Sequence, residues 1–233
     1  MSEQNGSLYE LRGVARVFRR GDSTIAAVDG VDLELTAGGF VALEGPSGSG
    51  KTTLLQLLGA LDRATSGQVF FDGRDLGALP DRELAELRLR AFGFVFQQFN
   101  LIPTLTAVEN VEAGLAPLGM QRQELRVRSL SLLEEVGLEG RADHLPSQLS
   151  GGEQQRVAIA RALAKEPRVI LADEPTGNLD SKTGNDIVEL LAGLAARHGT
   201  TVIVATHDAE LGARARPRIA MRDGRLNPAP VAV

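Results

Sequence analysis

Apolar residues alternate with two different periods along the chain, and the switches between periods mark its elements. Residues 8–18 and 31–36 read as strands, the second alternating through Val31, Leu33 and Leu35. Residues 40–43 form a short continuous apolar run, the pattern of a strand buried on both faces. A glycine-rich segment follows at once, and then an apolar helix through Leu58. A strand over 68–71 closes on an Asp72-Gly73 turn. A helix is predicted over 81–90 and a strand over 92–96.

The character then changes. From about Thr106 to Lys165 the pattern is almost wholly helical, over 106–116, 121–136 and 152–164. Beyond Pro167 the apolar strand Val169-Ile170-Leu171-Ala172 appears. A helix follows with Ile187, Leu190, Leu191 and Leu194 on one face, then a strand over 201–205. Short apolar strands separated by helices predict an α/β fold with a parallel-rich sheet covered by helices. The helical stretch, about 98–165, reads as a subdomain inserted into that fold. The strands of 8–36 and 68–71 read as an antiparallel flank. One domain over 8–226 is expected, its core and flank at about 8–97 and 166–226, with tails at 1–7 and 227–233.

Composition narrows the function classes. No apolar run approaches the ~20 residues that span a bilayer, and the polar start carries no signal-peptide pattern, so a cytoplasmic protein is expected. The chain has no cysteine, which excludes disulfides, thiolate metal sites and cysteine nucleophiles. With 25 basic against 30 acidic residues the net charge is −5, so no overall basic field draws nucleic acid, and no nucleic-acid partner is expected. Lysines are scarce (Lys51, Lys165 and Lys182), and only Lys51 sits in a glycine-rich loop.

That loop is Gly45-Pro46-Ser47-Gly48-Ser49-Gly50-Lys51-Thr52, followed by Thr53, and it matches G-x-x-x-x-G-K-[ST]. Glycines let the backbone turn its N–H groups around phosphate oxygens. The helix that follows adds about half a positive charge at its N-terminus. Lys51 is placed to reach the β- and γ-phosphates, and the Thr52 hydroxyl to ligate Mg²⁺. A glycine-rich strand-to-helix turn without a ligand has the same outline, but the position after a strand and before a helix is the one the chemistry needs. By itself the loop leaves kinase, GTPase and ATPase open.

Two carboxylates, Asp173 and Glu174, end the apolar strand after Pro167, and Pro175 stops it. Strand C-termini line the ligand crevice of parallel sheets. Asp173 is suited to hold Mg²⁺ through a water, and Glu174 to orient or deprotonate an attacking water. A second glycine-rich helix start, Ser150-Gly151-Gly152-Glu153, carries an S-x-x-E capping box. Capping does not need the two glycines, whose bare backbone would let an anion approach the first turn.

The run Leu149-Ser-Gly-Gly-Glu-Gln-Gln-Arg-Val-Ala-Ile-Ala-Arg161 resembles the signature sequence of ABC (ATP-binding cassette) ATPases, and the resemblance extends over about residues 9–225. It implies a P-loop NTPase core. It also implies roles for further residues. Gln97, directly after the Phe94-Val-Phe strand, resembles the Q-loop residue that contacts Mg²⁺ and the attacking water. Asn178-Leu179-Asp180 resembles the D-loop, which communicates between two nucleotide sites, and His207 resembles the switch histidine at the γ-phosphate. The adenine-stacking aromatic of the family, most often tyrosine, falls at Phe18; the chain's one tyrosine, Tyr9, lies too early.

The resemblance further implies ATP and Mg²⁺ as cofactors, a head-to-tail pairing of two copies on ATP, and a membrane permease as partner on the inner face of the cell membrane. Leu57-Leu-Gly-Ala-Leu-Asp62, the segment from Gly93 to Pro103, and the segment from Asp173 to Thr183 resemble the lipoprotein-release, macrolide-export and cell-division branch. Importers share several of these motifs. Soluble repair ATPases of the family carry long coiled-coil insertions, absent from the short interval between Lys51 and Ser150, and a non-hydrolysing regulatory subunit would not need Glu174 and His207.

Overall fold

The computed structural model describes residues 7–21, 23–208, 211–212 and 214–227; the expected tails lie outside these except for Ser7 and Asn227. The chain divides into two compact units, Met1–Arg88 with Ala205–Val233, and Leu89–Val204.

In the first unit the chain runs through β1 (Ser7–Arg20), β2 (Ser23–Thr36), β3 (Phe40–Glu44), α1 (Lys51–Leu58), β4 (Ser66–Phe71) and β5 (Arg74–Asp75). Strands β2-β1-β4-β5 make the expected antiparallel flank. Its registers pair Leu11 with Leu33 on one side and with Val69 on the other. The second strand starts well before the predicted Val31. Its outer part, mostly exposed, has no alternation to read, yet it pairs with the end of β1, placing Ile25 opposite Phe18. The Asp72-Gly73 turn forms as expected, both residues having positive φ (52° and 74°), the geometry of the tight hairpin turn.

Tyr9 explains how this sheet grips α1. It is fully buried, packs against Phe71 with ring centroids 5.0 Å apart, and donates its hydroxyl to the Leu58 carbonyl at 2.9 Å. That carbonyl belongs to the last turn of α1, where helix carbonyls lack intrahelical partners.

Strand β3 is buried along Phe40–Leu43, as its continuous apolar run predicted. Helix α2 (Asp81–Arg90) leads into the second unit, which contains β6 (Phe92–Phe96), α3 (Ala107–Leu115), α4 (Arg122–Glu135), α5 (Gly151–Leu163), β7 (Val169–Asp173) and α6 (Ser181–His198). Strand β8 (Thr201–Thr206) follows. Strand β6 runs parallel to β7 from Phe92 opposite Val169 to Phe96 opposite Asp173, and β8 lies on the other side of β7. The predicted helical block is present. Helix α3 packs on α5, burying Val108, Val111 and Leu115 of the one and Val157 and Ile159 of the other.

Back in the first unit, β9 (Arg218–Arg222) runs parallel to β3, and β10 (Arg225–Asn227) folds antiparallel onto β9. The sequence pattern omits these two strands. The apolar run of β9, Ile219-Ala220-Met221, is short and flanked by arginines, and only Met221 is buried; the Asp223-Gly224 turn was the available cue.

Tyr9→Phe should lower unfolding free energy by about 1–3 kcal/mol, because the Leu58 carbonyl then loses its buried donor. Urea unfolding checks this; an unchanged midpoint would contradict the anchoring role.

Candidate active site

The phosphate loop lies wholly in the first unit, between β3 and α1. Its glycines are needed for close backbone approach. A Cβ on Gly45 would stand 2.1 Å from the Met221 carbonyl oxygen of β9, and one on Gly50 would stand 2.0 Å from the Ala27 carbonyl oxygen of β2. Gly50 also has φ +103°, a region that side chains disfavour. Further backbone bonds fasten the loop: Gly224 N–H donates to the Ser49 carbonyl at 3.0 Å and Gly45 N–H to the Thr206 carbonyl at 3.3 Å.

No side chain caps α1, and its first turn contains no acidic residue, so the helix itself brings no anion to its positive end. Lys51 is buried, with Nζ donating to the carbonyls of Gly45 (2.8 Å) and Pro46 (3.0 Å). Ser49 Oγ is buried and has no hydrogen-bond partner among the described residues.

Two other expected residues belong to the same unit. His207 is exposed and directly follows Thr206, the residue that receives the Gly45 N–H. Phe18, near the end of β1, is 39% exposed, enough for one ring face to meet a ligand. The Arg16 guanidinium sits 4.7 Å from its ring centroid and is itself held by Asp62 at 2.8 Å. Tyr9, by contrast, is a buried anchor.

The second unit holds the remaining candidates. Asp173 ends β7, and Glu174 follows with φ +46°, an unusual conformation for a non-glycine residue that often marks a functional position. Gln97 faces the segment before α6: its Nε2 donates to Asn178 Oδ1 at 3.2 Å, and Asn178 Nδ2 donates to the Gln97 carbonyl at 2.9 Å. Asp180 caps α6 by accepting from Thr183 N–H at 3.1 Å, and the hydrogen bonds from Thr183 hold its carboxyl below the usual range.

The capping box at α5 is present in full. Glu153 N–H donates to Ser150 Oγ at 3.3 Å, and Ser150 N–H donates to Glu153 Oε2 at 2.8 Å. That backbone bond, with Arg141 next in weight, holds the Glu153 carboxyl below its ordinary value. The two glycines have a packing reason as well. A Cβ on Gly152 would stand 2.5 Å from Thr183 Cγ2, and one on Gly151 3.2 Å from a Leu179 methyl. The second unit therefore brings Gln97, the Ser150–Glu153 helix start and the Asn178–Asp180 segment together.

Sequence reasoning missed the residues that hold these loops. Buried Asn110 in α3 donates to the carbonyls of Ile102, Leu105 and Thr106 and accepts from Ile102 N–H. Its position at helical spacing among Ala107, Val108 and Val111, the residues that α3 buries, was the signal that could have found it. Gln155 Nε2 reaches the Pro175 carbonyl at 2.8 Å.

Comparison with known proteins gives the family. The sequence profile of the ABC transporter family matches residues 28–177. The macrolide export ATP-binding/permease protein MacB of Brucella melitensis is 50% identical over 219 residues, which are 94% of this chain and 34% of that protein. The chain thus spans about a third of the length of the MacB relatives it matches. An uncharacterized ABC transporter ATP-binding protein of Thermotoga maritima is 49% identical over 94% of this chain and 93% of its own length. Among solved structures, the ATP-binding cassette MJ0796, seen as a dimer in a post-hydrolysis state with ADP and Pi, matches with a TM-score of 0.87. The two are 47% identical, over 94% of this chain and 96% of that one. With the profile matching more than half of its length and a relative 49% identical from end to end, this chain belongs to the ABC transporter family.

Proposed function

We propose that the chain is the ATP-binding and ATP-hydrolysing subunit of an ABC transporter, acting on a separate membrane permease of the mechanical or export branch. The observation that carries this reading is the phosphate loop, a backbone cradle held open at Gly45 and Gly50 in front of an uncapped helix. The identity to MacB proteins, whose name joins an ATP-binding part to a permease, supports the branch and the partner. Among the described residues no helix is long and apolar enough to cross a membrane. On this reading the chain works in the cytoplasm, peripherally on the inner face of the membrane.

In the proposed mechanism the loop of Gly45, Pro46, Ser47, Gly48, Ser49 and Gly50, with Lys51, Thr52 and Thr53, binds the phosphates of ATP. Lys51 exchanges its two carbonyl partners for charge-assisted bonds to phosphate, which are about twice as strong as neutral ones. Phe18, backed by Arg16, stacks on the adenine.

The oxygens of Thr52, Asp173 and Gln97 are hard donors suited to Mg²⁺. Mg²⁺ in sites of this kind is bound by one or two protein oxygens together with substrate phosphates. When bound, Mg²⁺ neutralises phosphate charge. Glu174 takes a proton from the water that attacks the γ-phosphorus in line, and His207 contacts the γ-phosphate as ADP leaves.

Ser150, Gly151, Gly152 and Glu153 act on the ATP of a second copy, arranged head to tail. One nucleotide then joins two chains, and loss of its γ-phosphate removes the join. Asp180, at the D-loop, links the two sites. The dimeric form of the MJ0796 cassette supports this assembly.

Glu174→Gln should form an ATP-dependent dimer and hydrolyse at least ~100-fold more slowly in a steady-state phosphate-release assay. Turnover like that of the natural chain would remove Glu174 from its role. ATP at 100 times its dissociation constant should stabilise the first unit by about 2.7 kcal/mol in thermal unfolding. Lys51→Ala should lose most of that shift, and a full shift in the variant would contradict the loop assignment. Phe18→Ala should weaken ATP binding by about tenfold through lost stacking, with Phe18→Tyr close to the natural chain. Equal affinities in a nucleotide titration would place the adenine elsewhere.

A further inference from the structure

The segment that leaves β6 contains an unusual bend two residues after Gln97. Phe99 and Asn100 both have positive φ, 57° and 50°, a conformation that non-glycine residues seldom adopt and that two in succession adopt less often still. Phe99 N–H donates to the Phe96 carbonyl at 3.2 Å, so the bend closes directly around Gln97.

One side chain spans the bend. Arg161, in the last turn of α5, donates from one guanidinium nitrogen to the Asn100 carbonyl at 2.6 Å and from the other to the Phe99 carbonyl at 2.8 Å. The first is shorter than the ordinary N–H···O range and the second lies at its short end. Its fork thus holds two successive left-handed carbonyls, with no carboxylate partner among the described residues. Gly114 of α3 makes room for it: a Cβ there would stand 3.0 Å from Arg161 Cγ and 3.1 Å from its carbonyl oxygen. Desolvation lowers the Arg161 pKa, yet a guanidinium stays protonated, so the bend is held by a permanent cation.

The bend touches both functional segments of the unit. At one end Asn178 grips Gln97 through two hydrogen bonds. At the other, the tip of the Phe99 ring stands 3.7 Å from the position a Cβ would take on Gly151.

We propose that Arg161 is a positioning residue for ATP hydrolysis: its guanidinium fixes the left-handed bend at Phe99–Asn100, and through it the placement of Gln97 and of the Phe99 ring beside Gly151. This rests on the reading of Gln97 as a residue that serves the metal and the attacking water. The planar fork matters because it satisfies both carbonyls at once, which a lysine ammonium does less rigidly.

The test measures steady-state hydrolysis of ATP by the full chain against ATP and against Mg²⁺, for the natural protein, Arg161→Lys, Arg161→Met and Arg161→Lys combined with Asn100→Gly. Arg161→Met should lower kcat at least about tenfold, leave KM for ATP within about twofold, and raise the Mg²⁺ concentration for half-maximal rate. Arg161→Lys should fall between it and the natural chain. Adding Asn100→Gly to Arg161→Lys should recover half or more of the lost turnover, because glycine adopts positive φ without a clamp.

A purely packing role for Arg161 would lower thermal stability and turnover together, with no rescue by glycine. That result, or turnover within twofold of the natural chain in both single variants, overturns the proposal. Should Arg161→Met fail to fold, Arg161→Lys and its glycine rescue decide alone. A natural chain that does not hydrolyse Mg²⁺-ATP would sink the ATPase reading itself, whereas an active chain indifferent to Arg161 sinks only the positioning role.

Discussion

Backbone approaching backbone is the constraint on which the first unit depends. At Gly45 and Gly50 the phosphate loop lies so close to the carbonyls of Met221 and Ala27 that a methyl group fits at neither position. Strands β2 and β9 thereby form two walls of the loop, and the Gly224 N–H bond to Ser49 adds a third fastening. The antiparallel flank and the C-terminal β9–β10 hairpin thus have a purpose beyond covering a core: they hold the cradle in shape before a ligand arrives. Preorganisation of this kind removes ordering cost at the moment of binding.

The second unit solves a different problem by similar means. Three loops must keep register: the bend after β6, the start of α5 and the segment before α6. Small residues let them touch, with Gly151 beside Leu179 and Phe99, Gly152 against Thr183, and Gly177 against the Gln97 side chain. Polar side chains then fix the contacts, Asn178 on Gln97, Asn110 on the 102–106 loop and Arg161 on the bend. Glycine at the signature helix start therefore has two compatible explanations. It permits packing within the chain, and on the proposed reading it bares backbone to the nucleotide of a second copy.

Much of this was legible in the sequence because the signals were local. The phosphate loop, the capping box at Ser150 and Glu153, the Asp72-Gly73 turn and the helical block are all set by neighbours in the chain, and each forms where its residues predicted. The illegible parts depend on distant partners. Strand β9 is short and flanked by arginines, and it becomes a strand because β3 offers it an edge. The start of β2 carries no alternation and is defined by pairing with β1. Tyr9 could be set aside as a stacking residue from its position, but its bond to Leu58 spans 49 residues and is invisible to any local pattern. Arg161 reads as one more residue of a signature helix until the carbonyls of Phe99 and Asn100, about sixty residues earlier, are seen in its fork.

The central claim is that each chain supplies part of an ATP site completed by another copy. The dependence of the steady-state hydrolysis rate on protein concentration tests this most directly. If two copies share each site, the rate per chain should rise with concentration in the dilute range and level off once dimers dominate. A rate per chain that stays constant down to concentrations where light scattering finds only monomers would contradict the account.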